Sequence, residues 1–158
     1  MAEIAGLGHV GIYVEDLMKQ RDFWSRVMGL KISDEDLEGR GMVFLSSDPE
    51  AEHHEFVLMK GRDVPQRANL VQQISFKVPS IDDLKEFHSV LVDEGIEIDR
   101  IVSHGIALGM YFFDPEGNRV ELYYSTGFPV PQPLSEPVDI HASNEELLEI
   151  ARAAIPKG

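Results

Sequence analysis

The chain of 158 residues is long enough for one domain with a single core, and a hydrophobic content of 43% places it among folded proteins. A formal net charge of −14 makes nucleic acid and anionic membranes poor partners, and the absence of cysteine excludes disulfides, thiolate metal sites and a cysteine nucleophile. The opening MAEIAGLGHVGIYV has no basic stretch ahead of a long apolar run, and nothing in the chain has the length of an apolar membrane span, so a cytoplasmic protein is expected.

The first element is the alternating run His9–Val14, HVGIYV, a strand. Asp16 then caps a helix that Gly29 stops, with Leu17, Phe23, Val27 and Met28 as its apolar stripe and Trp24 on the surface or at a subunit contact. Short strands follow around 30–33, 41–47 and 54–60. From Gln73 the order begins again. QISFKV alternates, Ser80 with Asp83 forms a weak capping box, and Leu84, Phe87, Leu91 and Val92 make a helical stripe that ends at Gly95. Strands follow around 96–102, 110–113 and 119–125. His9 and Gln73 lie 64 positions apart, as do Phe23 and Phe87, while GMVFL at 41–45 matches GMYFF at 109–113 with an offset of 68.

The chain therefore reads as two copies of strand–helix–strand–strand–strand, each with too small a core to stand alone easily. The fold class is α+β: two paired βαβββ modules forming a curved mixed sheet around a central hollow, with helices outside. One domain is expected over residues 1–158, with module one at 6–62, module two at 70–126 and an arm and helix at 127–158. Alternation turns Val10, Ile12 and Val14, and Ile74, Phe76 and Val78, toward the helices. His9, Gly11 and Tyr13, and Gln73, Ser75 and Lys77, then face the hollow. Gln72 and His53 have the opposite parity and fall outside it. The tail GFPVPQPLSEP holds four prolines and reads as an extended arm. It leads to a helix with Ser143 and Glu146 as a capping box and an apolar stripe of Leu147, Leu148, Ala151, Ala154 and Ile155, docked on its own subunit or on a partner.

Asp114–Tyr124, DPEGNRVELYY, is a tight turn feeding a strand. Pro115 pre-sets the first corner and Gly117 takes the positive dihedral. Glu121 lies on the inward face of that strand, and a carboxylate among apolar and aromatic residues needs compensation, which a metal ion would supply.

The paired modules, HVGIYVEDL and DPEGNRVELYY together resemble the vicinal oxygen chelate superfamily of glyoxalases, epimerases, fosfomycin-resistance proteins and type I extradiol dioxygenases, over roughly residues 6–125. The resemblance is closest to the extradiol dioxygenases. It implies a divalent metal held by His9, Glu121 and the residue at 73, with His54, His104 and Tyr111 as catalytic groups. Gln73 stands where that branch has a histidine. Its amide oxygen is a harder donor than imidazole. The function implied is an extradiol dioxygenase of aromatic catabolism, acting on a small catechol-type substrate with iron(II), or with manganese, nickel, cobalt or zinc; a homodimer is expected because the paired half-sheets and the extra arm offer surfaces to bury. The alternatives are a metal-dependent isomerase, epimerase or lyase of the glyoxalase type, and a non-catalytic small-molecule-binding protein.

Overall fold

A computed structural model describes residues 6–64 and 71–156. The chain has an α+β fold of two mixed sheets with helices and divides into two compact units, Met1–Ala68 and Asn69–Gly158. No helix among the described residues is long and apolar enough to cross a membrane.

In the first unit, β1 (Val10–Val14) leads through α1 (Leu17–Asp22) to β2 (Lys31–Asp36), β3 (Met42–Ser46) and β4 (Phe56–Lys60). The sheet order is β1-β4-β3-β2, with β1 parallel to β4 and the other pairs antiparallel. Asp16 caps α1 by accepting from the Lys19 amide at 3.0 Å. Past Asp22 the helix widens into a π-helical turn, Phe23–Val27, closed by Met28 N donating to Phe23 O at 3.0 Å. Gly29 ends it at φ 75, a conformation that favours glycine.

Leu17, Phe23, Val27 and Met28 are buried as the stripe requires, but Trp24 is not a surface residue. It is fully buried, with its ring 4.6 Å from that of Phe56. The polar Gln20 hides the pattern. Gln20 is also buried, and its Oε1 accepts the Trp24 indole N–H at 2.8 Å, so the two polar groups enter the core as a pair.

In the second unit, β5 (Ile74–Lys77), α2 (Ile81–Asp93), β6 (Ile98–Ser103), β7 (Ala107–Phe113) and β8 (Arg119–Ser125) repeat the first unit's order, with β5 parallel to β8. A two-residue strand β9 (Glu136–Pro137) extends the sheet to β5-β8-β7-β6-β9. The repeat reaches a detail that alternation does not reveal. Pairing slips by one residue between Ile32 and Asp34 in β2 and between Ile98 and Arg100 in β6, so both copies carry a bulge at the same place.

Ser80 caps α2 by accepting from the Asp83 amide, and Ile81, Leu84 and Leu91 are its buried face; Val92 is exposed instead of joining the stripe. Each fully buried leucine contributes about 2 kcal/mol. The arm does lead to a docked helix, α3 (Asn144–Ala153), with the Ser143–Glu146 capping box formed. It packs on its own chain. Leu147 and Ala151 are buried, α3 contacts β6 and β7, Lys85 Nζ donates to Ala142 O at 2.6 Å, and Asn144 donates to Asp82 at 2.8 Å.

Candidate functional site

The second unit builds its polar cluster from strand register. Ser75 lies opposite Glu121, Glu121 opposite Tyr111, and Tyr111 opposite Arg100, so four strands contribute one residue each to a polar row. The neighbouring row, Phe76, Leu122, Met110 and Ile101, turns to the other face. The bulge at Asp99 brings Arg100 into the polar row. Counting by twos from Ile98 would have put it on the opposite face.

Glu121, 7% exposed, is held by three donors. Its Oε2 accepts from Gln73 Nε2 at 2.9 Å and Ser75 Oγ at 2.5 Å, and its Oε1 accepts from the Tyr111 hydroxyl at 2.5 Å. His104 Nε2 lies 2.9 Å from the same hydroxyl. Gln73, Glu121, Tyr111 and His104 thus belong to one hydrogen-bonded network, with Ser75 as an added member. The Tyr111 ring is buried and lies under two guanidiniums, with Arg100 Cζ at 4.6 Å and Arg119 Cζ at 5.0 Å from its centroid. Arg119 also pairs with Asp99 at 2.6 Å. Burial, then the bond to Glu121 and its charge, pushes the Tyr111 phenol well above its usual range, against the opposing pull of the two arginines. Gly109 makes room for this cluster. A Cβ there would stand 2.9 Å from Glu121 Oε1 and 3.2 Å from the Tyr111 ring.

In the first unit, the parallel start of β1 and β4 brings His9 to His54, ring centroids 4.4 Å apart. Neither lies on a strand; β1 begins at Val10 and β4 at Phe56. His53 belongs here too, its Nδ1 2.9 Å from His54 Nδ1, with Phe44 against both rings. His53 and His54 sit in a bend ahead of β4, where strand alternation does not hold, so parity does not separate the two rings. Burial, then the neighbouring His9 and His53, lowers the His54 pKa below the ordinary imidazole value.

The fit to a metal rests on donor chemistry. Three hydrogen bonds already satisfy Glu121, and Gln73 turns its NH2 to the carboxylate. With that amide turned over, Gln73 Oε1 and Glu121 offer two oxygen ligands that suit a hard divalent cation. Among the described residues no three His, Asp or Glu side chains are grouped to hold a metal ion.

A family model described as the Glyoxalase/Bleomycin resistance protein/Dioxygenase superfamily matches residues 6–122. Biphenyl-2,3-diol 1,2-dioxygenase 3 of Rhodococcus globerulus is 31% identical over 121 residues, 73% of this chain and 61% of that protein. The chain thus spans about three fifths of that relative's length. An integron cassette protein from the mobile metagenome of the Halifax Harbour sewage outfall shares 25% identity at a TM-score of 0.64, covering 77% of this chain and 99% of its own. A variant of the fosfomycin resistance protein FosX from Listeria monocytogenes, solved with manganese(II) and 1S,2S-dihydroxypropylphosphonic acid, shares 22% at a TM-score of 0.62, covering 78% and 95%. With the matched span running through both copies of the repeat, from His9 to Glu121, the chain belongs to the glyoxalase/bleomycin resistance protein/dioxygenase superfamily.

Proposed function

We propose that this chain is a metal-dependent, extradiol dioxygenase-like enzyme acting on a catechol-type aromatic substrate, with Gln73 in the place of one ligand histidine. The observation that carries this reading is the unbroken hydrogen-bonded path from His104 through Tyr111 to Glu121. It puts an imidazole and a phenol next to the carboxylate assigned as a metal ligand. His9, Gln73 and Glu121 are the assigned ligands. When bound, the cation, iron(II) in this reading, supplies Lewis-acid polarisation of two adjacent substrate oxygens.

The remaining roles belong to the chain. His54 is assigned the proton transfer: burial and its histidine neighbours keep it unprotonated at neutral pH and ready to accept. His104 and Tyr111, the latter held in its phenol form, are assigned the hydrogen bonds to substrate and product oxygens. Protein loaded anaerobically with iron(II) and given a panel of catechols in air is expected to consume oxygen and form a yellow ring-opened product. No oxygen uptake across the panel would refute the reading.

The Gln73–Glu121 pair favours a second reading, an isomerase, epimerase or lyase of the glyoxalase type, because its oxygen donors suit cations other than iron(II). Competition binding in which manganese, nickel, cobalt or zinc outranks iron(II) would select it.

A further inference from the structure

We propose that the C-terminal arm is a positioning element of the site, fixing the tautomer of His104 so that the Nε2 lone pair faces Tyr111. The proposal rests on the reading of His104 and Tyr111 as groups of the catalytic site, while its claim about the imidazole can be tested apart from any reaction. The arm, residues 127–137, lies beyond the span 6–122 matched by the family model.

The arm grips the His104 loop at successive points. Thr126 Oγ1, just ahead of it, donates to Gly105 O at 2.6 Å, and Glu136 pairs with Ser103. Val130 packs over Gly105, where a Cβ would stand 2.6 Å from a Val130 methyl carbon and the φ of +71 favours glycine. Gln132 Nε2 donates to His104 O at 2.7 Å, and Gln132 Oε1 accepts from Leu134 N at 3.3 Å. One amide therefore ties the main chain of His104 to the residue that holds its ring, for His104 Nδ1 lies 2.5 Å from Leu134 O.

A carbonyl oxygen only accepts, so Nδ1 carries the proton and donates. In a neutral ring Nε2 is then bare and 2.9 Å from the Tyr111 oxygen. The phenol has one proton and gives it to Glu121 Oε1. One proton is thus faced by two acceptors, and it can move to His104 whenever Oε1 is engaged elsewhere. The opposite tautomer would set two lone pairs against each other at Leu134 O and turn an N–H toward Tyr111.

The test is a two-bond ¹H–¹⁵N correlation of histidine-labelled protein at pH 8, with the His104 signals assigned by their loss in His104→Gln. Nδ1 is expected to bear the proton and Nε2 to be bare. An Nε2–H ring or a doubly protonated ring in the wild type overturns the proposal, whatever the catechol assay gives. Gln132→Ala cuts the tie and leaves every group of the network in place. In that variant His104 is expected to become a mixture of the two neutral tautomers. Where the wild type cleaves a catechol, kcat should fall about tenfold with KM unchanged. An unchanged tautomer in Gln132→Ala also overturns the proposal. If that variant fails to fold, the wild-type spectrum still decides. An Nδ1–H spectrum from a wild type that takes up no oxygen sinks the dioxygenase reading and supports the positioning role.

Discussion

A carboxylate removed from water is expensive, and at Glu121 the cost is met by three hydrogen bonds, two of them at 2.5 Å. Removing one donor should therefore be felt beyond the contact itself. Tyr111→Phe is expected to lose about 1–3 kcal/mol in urea unfolding, because Oε1 is left buried and underbonded. In a Glu121→Gln background the same change should cost less, and a coupling energy indistinguishable from zero would mean the two groups do not depend on one another. Gly109→Ala probes the cluster from the backbone side. Its Cβ would press on Glu121 Oε1 and the Tyr111 ring, and a stability loss of about 1–3 kcal/mol is expected, measured by thermal or urea melting. A variant as stable as the wild type would mean the carboxylate moves aside freely.

Among the elements, α1 and α3 show two ways a helix is held. α1 and the π-helical turn that continues it are anchored by Trp24, whose ring meets Phe56 and whose N–H meets Gln20. Trp24→Ala should cost about 3–5 kcal/mol, as a cavity and an unpaired buried amide together. α3 is tied to α2 through Lys85, Asp82 and the His88–His141 ring contact at 5.3 Å. Burial, then His141, holds the His88 pKa below its ordinary value of 6.5. The unfolded chain therefore takes up this proton first as pH falls. The stability linked to His88 is complete above pH 6.5 and is lost as pH drops through that value toward the lower folded one. Urea midpoints from pH 8 to pH 5 should fall, and His88→Gln should flatten the slope; an equal slope in the variant would remove His88 from the account.

For the whole chain, 28 acidic residues against 14 basic ones make self-repulsion the dominant long-range term. Raising salt from about 0.01 M to about 0.15 M shortens the screening length from about 30 Å to about 8 Å and should raise the melting temperature. A flat or falling trend would show that local pairs such as Arg119–Asp99 outweigh the net charge.

The repeat was legible because caps, glycine stops and alternating strands recur at nearly constant offsets, and these local preferences survive folding. Glu121 and Gln73 were legible because strand parity turned both toward one face, whereas His104 and Tyr111 were legible only through the family resemblance, since a loop histidine and a strand tyrosine carry no periodic signal of their own. Other features were not. Gln20 interrupted the stripe that would have shown Trp24 to be core, the bulge at Asp99 reversed the face of Arg100, and the bend at His53 and His54 obeyed no period. The arm's grip on His104 was also hidden, since a main-chain carbonyl leaves no residue signature.

That last feature bears on how the molecule would respond to dissection. A group carried by the path of the backbone survives any side-chain replacement that leaves the path intact. Alanine scanning would pass over Leu134 as silent. A chimera that transplants only residues 6–125 into another scaffold would bring every side chain of the cluster and still leave His104 Nδ1 to water.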